Sequence, residues 1–161
     1  MKKIMQFLTD FIALCSLMAL TFSASFIGTA FSNPSNLAWY QTLQHPFFTP
    51  PSWAFGVVWP ILYFLMSLAA WIVWKREGFL STALYWYYTQ LIINALYMPL
   101  FFHYKLLLSS CLWIVLLLLF IAQTIKSFFK VDQIAGWLLV PYCIWSIFAL
   151  NLSFFIWFLN R

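Results

Sequence analysis

Five long apolar stretches run along the chain, separated by polar breaks. A helix needs about 20 apolar residues to cross the hydrocarbon core of a membrane, which is roughly 30 Å thick, and each stretch reaches that length. Because only helices and closed barrels satisfy their backbone hydrogen bonds in lipid, the pattern predicts an all-α integral membrane protein. We expect a single five-transmembrane-helix bundle forming one domain over residues 1–161. The predicted helices cover residues 6–31, 52–74, 79–102, 106–125 and 134–158.

One connection, residues 32–51, is much longer than the others. It opens with Asn33-Pro34-Ser35-Asn36, turn-forming residues that should end the first helix. A loop this long in so short a chain is usually functional. We predict that it covers one end of the bundle as a lid.

The basic residues predict how the bundle lies in the membrane. With the N-terminus in the cytoplasm, six lysine and arginine residues fall on that side and two on the other. Cytoplasmic loops carry the excess of basic residues, so the count favours a cytoplasmic N-terminus and places residues 32–51 outside. The six are Lys2, Lys3, Lys75, Arg76, Lys126 and Lys130, and the two are Lys105 and Arg161.

The first apolar stretch has a second interpretation. Lys2-Lys3, the apolar run and the small residues near Ala24 resemble a secretory signal peptide with its cleavage site. However, Asp10 interrupts the start of the run, which then continues to Phe31 without a polar break. This continuity favours a retained membrane helix.

Composition excludes a soluble fold. Of the 161 residues, 65% are hydrophobic and 7% are charged, whereas soluble domains carry about 25% charged residues. The formal charge of +5 comes from basic residues scattered singly or in pairs. They form no stripe that could follow phosphates, so we expect the lipid bilayer, and not nucleic acid, as the partner.

Residues for conventional catalysis are scarce. The acids are Asp10, Glu77 and Asp132, all predicted near one membrane boundary, so no acid pair crosses the core. His45 and His103 fall in connections and are too few for a metal site, and the three cysteines fit no metal or redox motif. We therefore expect no metal and no obligatory cofactor.

Aromatic residues make up 23% of the chain and are densest in residues 39–63. Two interfacial belts do not require so many rings, so some should face other protein groups or a ligand. Pro50-Pro51 is stiff, and Pro51 suits the first turn of the following helix. Trp59 and Tyr63 are four residues apart and share a helix face. Either they anchor the helix at the headgroups, or they contact a protein or ligand partner.

The third predicted helix carries a polar face. In lipid such a face must turn towards other helices, because an unpaired amide in hydrocarbon is costly. Asn94 either bonds a neighbouring helix or lines a pocket, and the sequence leaves both open. The face contains Gln90, Asn94, Tyr97 and Phe101.

The fifth predicted helix places Pro141, Trp145 and Ala149 on one face. The proline loosens the helix, and the small alanine leaves room beside the indole. A flat guest could lie against this face.

Together these residues resemble the tryptophan-rich sensory protein and translocator protein family (TspO/MBR), also called the peripheral-type benzodiazepine receptor family. The resemblance spans most of the chain in the expected order. It is carried by Trp39-Tyr40, Pro46-Phe47, Thr49-Pro50-Pro51, Trp53, Phe55-Gly56, Trp59, Leu62-Tyr63, Asn94, Phe101-Phe102, Pro141-Tyr142, Trp145, Phe148-Ala149, Ile156-Trp157 and Leu159-Asn160.

The resemblance implies a five-helix bundle, often a homodimer, that binds porphyrins such as protoporphyrin IX and haem. It also implies isoquinoline or benzodiazepine-type ligands in a pocket beneath the first loop. Trp59 and Trp145 match tryptophans that the family links to light-dependent porphyrin breakdown. The implied ligand-binding residues are Trp39, Tyr40, Pro50, Pro51, Trp59, Tyr63, Asn94, Trp145 and Ala149.

Three features depart from the family pattern. Tyr97-Met98 replaces a Trp-Ser pair, and Ser153 replaces an asparagine, with Asn151 out of register. These departures affect the polar contacts to a ligand more than the fold. The sterol motif of animal members is absent from the last helix, which lowers the expectation of sterol binding.

The function predicted from the sequence is a membrane receptor or sensor that binds a tetrapyrrole, and the sequence leaves open whether the protein also transports the tetrapyrrole or degrades it by photo-oxidation. The alternative is a structural or partner-binding membrane subunit with no small-molecule chemistry. An active secondary transporter ranks last, since the chain shows neither buried ionisable residues nor internal repeats. A bacterial inner membrane suits the short chain, with the mitochondrial outer membrane as the alternative.

Overall fold

The computed structural model of the chain describes residues 1–31 and 33–161. At residues 28, 29 and 31 it describes the backbone only. Within these residues the secondary structure is entirely helical, with six α-helices and one five-residue π-helical turn. The α-helices are α1 (Lys2–Phe31), α2 (Pro34–Thr42), α3 (Ser52–Glu77), α4 (Thr82–Met98), α5 (Leu107–Val131) and α6 (Gln133–Leu159), and the π-turn is Pro99–His103.

Four helices of the described chain are long and apolar enough to cross a membrane. The third predicted span, residues 79–102, is divided between α4 and the π-turn. With 17 residues, α4 alone is about 26 Å long, somewhat less than the hydrocarbon core. Pro99 has no backbone N–H to donate, and the backbone widens into the π-turn there. The four are Lys2–Ile27, Ser52–Glu77, Leu107–Val131 and Gln133–Leu159.

The connection 32–51 contains a helix that we did not predict. α2 begins directly after Asn33, whose side-chain oxygen accepts a hydrogen bond from the N–H of Asn36 at 2.9 Å. Pro34 occupies the first turn, where its missing N–H has no cost. The Asn-Pro pair that marks the end of α1 is thus also the start signal for α2.

The five long helices pack in a closed ring in the order α1, α3, α6, α5, α4, and back to α1. α3 therefore lies between α1 and α6. This arrangement gives every helix two neighbours against which its polar residues can be paired.

The tightest packing lies along the C-terminal half of α3. Met66, Ala69, Ala70 and Val73 are completely buried. Small residues let neighbouring helices approach closely, which is how helices associate without a hydrophobic driving force in lipid. Leu84 and Tyr87 of α4 and Phe128 of α5 complete this core and are equally buried.

Ion pairs join the helices at the same end of the bundle, which we call the charged end. Lys75 Nζ lies 2.7 Å from Asp10 Oδ2, and the indole N–H of Trp71 donates to the Asp10 carbonyl at 2.9 Å. Arg76 pairs with Asp132, which also caps the N-terminus of α6. Two of the three acids of the chain thus connect helices.

Candidate functional site

The opposite end of the bundle is covered by residues 33–51, which we call the lid. Trp39 and Tyr40 of α2 lie with their ring centroids 5.9 Å from that of Phe101. Both rings also contact Phe102, at 6.5 and 5.8 Å. The π-turn thus presents two consecutive phenylalanines to the same helix, and Lys105 Nζ lies 5.2 Å above the Trp39 ring.

His45 stabilises the lid internally. Its Nε2 is 3.0 Å from the Tyr40 carbonyl oxygen, and the two rings meet edge-on at 4.6 Å. Its Nδ1 is buried without a hydrogen-bond partner. Burial in this contact raises the pKa of the Tyr40 phenol. No definite role for His45 could be predicted from the sequence, and in the structure it holds α2 in place through Tyr40.

A second attachment joins the lid to the end of α6. The Asn160 side chain accepts from the backbone N–H of Gln44 at 2.9 Å and donates to the Gln44 carbonyl at 3.0 Å. The same amide donates to the Ile156 carbonyl at 2.7 Å. We call this two-way bond between Asn160 and Gln44 the latch.

Beneath the lid, the predicted α3 residues lie together. The rings of Trp59 and Tyr63 are stacked at 5.4 Å. Asn94 of α4 donates from Nδ2 to the Tyr63 hydroxyl at 3.1 Å. Trp59 also meets Tyr142 of α6 edge-on at 6.4 Å. Asn94 therefore bonds across helices, and it does so beside the predicted pocket residues.

Trp145 connects this deeper group to the lid. Its ring lies 5.9 Å from Phe55 and 5.3 Å from Phe148, and Phe148 in turn lies 6.3 Å from Phe48 of the lid. The indole Nε1 of Trp145 is buried and has no hydrogen-bond partner. Ala149 follows one turn later and is half-buried.

The two prolines of the site differ in their exposure. Pro50 is half-buried, whereas Pro51 is exposed. Pro51 precedes the first helical residue of α3 as its N-cap, and its carbonyl accepts from the N–H of Ala54 at 2.9 Å. The predicted position in the first turn was therefore off by one residue, and Pro51 lies on the outer rim.

Two departures from the family pattern lie against each other. The Tyr97 hydroxyl of α4 and the Ser153 hydroxyl of α6 are 2.8 Å apart. Asn151, by contrast, is exposed and donates to the Ile147 carbonyl at 2.8 Å, away from the site. The position one turn before Asn94 is Gln90, whose Oε1 accepts from the Tyr142 hydroxyl at 3.1 Å.

Several residues of the site were not among our sequence-predicted ligands. Their contacts join elements far apart in the chain. Aromatic spacing of three or four residues from Trp145 and Tyr97 could have found Phe148 and Phe101, and no local signal marks the others. These residues are Phe48, Phe55, Phe101, Phe148 and Ser153.

The site offers stacking surfaces and hydrogen-bond donors, and the charged and titratable groups described in it, Lys105 and His45, lie at the lid. Across the described residues, no three histidine, cysteine or acidic side chains are grouped to hold a metal ion. Aromatic surfaces of this kind are suited to stacking on other flat rings.

Comparison with known sequences assigns the chain to a protein family. A profile described as the TspO/MBR family matches residues 12–158. The chain belongs to the TspO/MBR family. It is similar to the tryptophan-rich sensory protein of Cereibacter sphaeroides, with 43% identity over 116 residues, 72% of this chain and 73% of the relative.

Other TspO/MBR relatives come from distant organisms. The tryptophan-rich protein TspO of Archaeoglobus fulgidus is 37% identical over 84% of this chain and 88% of its own length. The translocator protein of Homo sapiens is 33% identical over 82% of this chain and 80% of its own length. The family and the apolar helices together establish an integral membrane protein, as the sequence predicted. The TspO/MBR match includes every predicted site residue.

Proposed function

We propose that this TspO/MBR protein is a membrane sensor or translocator that binds tetrapyrroles, such as protoporphyrin IX or haem, beneath the lid. Isoquinoline and benzodiazepine-type molecules are further flat guests of the same site. The observation that carries the proposal is the buried, unpartnered indole N–H of Trp145 among aromatic rings. A buried donor without an acceptor is costly in an apolar surrounding, and a guest with an acceptor atom would relieve that cost.

Entry of a ligand into the proposed site requires the lid to move. Phe55 and Phe148 form ring contacts with Trp145, and Phe48 of the lid contacts Phe148. A flat guest would replace these ring contacts with its own stacking, while Trp59 and Tyr63 form a wall already stacked in the free protein. This exchange of one aromatic contact for another keeps the cost of opening low.

The proposal also includes the membrane arrangement. Counting α4 together with the π-turn gives five crossings, with the charged end in the cytoplasm and the lid outside. The clustering of Lys75 and Arg76 at the charged end supports this orientation. Cysteine labelling of the lid from outside intact cells tests it, and cross-linking in the membrane tests the homodimer implied by the family.

For the photochemical role, Trp59 and Trp145 are the proposed electron donors. An indole held against a photoexcited tetrapyrrole can give it one electron, and the reduced ring passes that electron to dioxygen, which becomes superoxide. The indole radical cation then recovers one electron from the ring, and the ring cation combines with superoxide, so that dioxygen is the net oxidant of the ring. Trp59→Phe/Trp145→Phe keeps both positions aromatic, so stacking should preserve saturable binding, at an affinity reduced by loss of the Trp145 N–H, while light-driven loss of porphyrin stops.

The test is a titration of the purified protein with protoporphyrin IX, read by quenching of Trp fluorescence and then by porphyrin absorbance under illumination. The matched control is Trp86→Phe/Trp137→Phe, which removes two tryptophans outside the site, one of them exposed. Photodegradation in the site variant equal to that in the control contradicts the photochemical roles. Absence of saturable binding contradicts the whole proposal and favours the structural-subunit alternative.

A further inference from the structure

The bond between Tyr97 and Ser153 is a polar contact within an aromatic enclosure. Ser153 is 4% exposed, and the Tyr97 ring is stacked on Phe101 at 5.8 Å. Leu152 and Ile156 lie beside the pair and are buried. The two hydroxyls therefore lie directly beneath the rings that hold the lid.

Counting hydrogen-bond donors shows that one is unused. Two hydroxyls carry two O–H groups, and their mutual bond uses one of them. Neither oxygen donates to any other described protein atom, so the hydroxyl that accepts has its own O–H unpaired. The other buried serine of α6, Ser146, instead donates to the Tyr142 carbonyl at 2.9 Å. The Tyr63 hydroxyl, which accepts from Asn94, is a second buried hydroxyl that donates to no other described atom, and it lies among the same site residues.

The Ser153 hydroxyl of this pair and the unpaired indole N–H of Trp145 lie on the same face of α6. Trp145, Ala149 and Ser153 follow at intervals of four residues. At 1.5 Å per residue, Trp145 and Ser153 are about 12 Å apart along the helix axis. Between them on this face lies Ala149, whose side chain is a single methyl group. The face therefore offers one donor at each end of a smooth strip.

We infer that the Tyr97–Ser153 hydroxyl pair recognises a carbonyl or carboxyl oxygen on the edge of the guest, and so selects oxygen-bearing flat molecules. The inference rests on the proposed function, because it assigns a ligand group to the same site. The pair donates its spare O–H to that oxygen, and the mutual hydroxyl bond orients the donor. Tyr97 and Ser153 are thereby specificity-determining residues.

A purely structural role is the competing explanation, since hydroxyls often bond between membrane helices. The two roles differ in what they predict for guests of equal shape. A structural bond would affect all guests equally, because its loss would loosen α4 against α6. A recognition bond affects only guests that carry an acceptor oxygen at the edge.

The experiment compares three porphyrins on the full-length protein in detergent. Protoporphyrin IX carries two carboxyl groups, its dimethyl ester keeps the carbonyl oxygens without the acid, and etioporphyrin has a similar ring without oxygen. The variant is Tyr97→Phe/Ser153→Ala, which removes only the two hydroxyl oxygens. The control, Tyr85→Phe/Ser146→Ala, removes the same atoms from the same two helices, with Tyr85 exposed and Ser146 already bonded to backbone.

Loss of a hydrogen bond to a buried acceptor should weaken binding of the first two porphyrins about tenfold, with etioporphyrin changed less than about twofold. The control should leave all three unchanged. Equal losses for all three porphyrins, or no loss for any, overturns the inference while leaving the proposed function in place. If the wild-type protein binds none of them, the proposed function fails and this inference fails with it.

Discussion

The two ends of the bundle are held together in different ways. At the charged end, α1, α3 and α6 are joined by ion pairs, and the core beside them includes residues with no exposure at all, among them Val73 and Phe128. At the lid end, α2 rests on the π-turn through ring contacts, and the latch between Gln44 and Asn160 adds a pair of exposed hydrogen bonds.

Under the proposed function, this difference separates the part of the molecule that maintains the fold from the part that opens to admit a ligand. Ion pairs with capping bonds and close helix contacts resist separation. Ring contacts can be exchanged for similar contacts with a guest at little cost. Low local stability is what a ligand-binding lid requires. The comparison therefore predicts that substitutions at the charged end change stability, whereas those at the lid end change ligand exchange.

The largest loss of stability is expected at Gly136 near the charged end. A Cβ at this position would lie 2.4 Å from the Phe129 ring, so Gly136→Ala should lower the free energy of unfolding by about 1–3 kcal/mol through overpacking. Thermal unfolding in detergent measures the effect. The ring is held against Trp137 at 5.5 Å, so it cannot move away without losing that contact.

Gly56 provides the control for this substitution. A Cβ added there meets nothing within 4 Å. Since alanine is the better helix former, Gly56→Ala should be neutral or raise the melting temperature. Adding Phe129→Ala to Gly136→Ala should recover part of the loss. A Gly136→Ala protein as stable as Gly56→Ala would contradict the tight packing described for this end.

A smaller loss is expected for Asp132→Ala. Asp132 accepts from the N–H groups of Ile134 and Ala135 at 2.7 and 3.1 Å and also pairs with Arg76. Loss of the N-cap costs about 1 kcal/mol, and the ion pair adds little because the Arg76 side chain is 58% exposed. Thermal unfolding of Asp132→Ala should therefore show a modest decrease.

Asp132→Asn separates the two contributions, because asparagine keeps the capping oxygen and loses the charge. We expect Asp132→Asn to retain most of the stability that Asp132→Ala loses. Glu77→Ala, an exposed acid at the same end, is the control and should have no effect. A loss in Asp132→Asn as large as in Asp132→Ala would mean that the ion pair, and not the cap, holds α6 at this end.

The sequence predicted the helical membrane fold because long apolar runs and prolines are local signals. It also placed Trp59 and Tyr63 on one face of α3, and they are stacked. It could not predict contacts between distant parts of the chain. Tyr97 and Ser153 are 56 residues apart, and the latch joins residues 116 apart. Their pairing depends on which helices are neighbours in the bundle, and the hydropathy pattern does not encode that order.

Some local sequence signals are compatible with two structures, and this explains the remaining differences between the predicted and the observed helices. The Asn33-Pro34 pair is both a stop signal for one helix and a cap for the next, so the sequence alone did not reveal α2. The π-turn at Pro99 likewise lies in an apolar run that has the pattern of an ordinary helix. Both elements position the lid, so the least predictable part of the fold is the part on which the proposed site depends.

The smallest effect on stability, and a specific effect on ligand exchange, is expected for Asn160→Ala. The substitution removes both bonds of the latch, which are exposed and so contribute little to the folded state. The lid should then open more often, so that protoporphyrin IX both binds and dissociates about three- to tenfold faster, with Kd changed less than about threefold. Stopped-flow fluorescence measures both rates.

Asn151→Ala, which loses only a bond to the Ile147 carbonyl within its own helix, is the matched control and should exchange porphyrin like the wild type. Unchanged rates in Asn160→Ala would show that the ring contacts alone hold the lid closed, and a large loss of thermal stability would place this end of the bundle with the charged end as a part that maintains the fold.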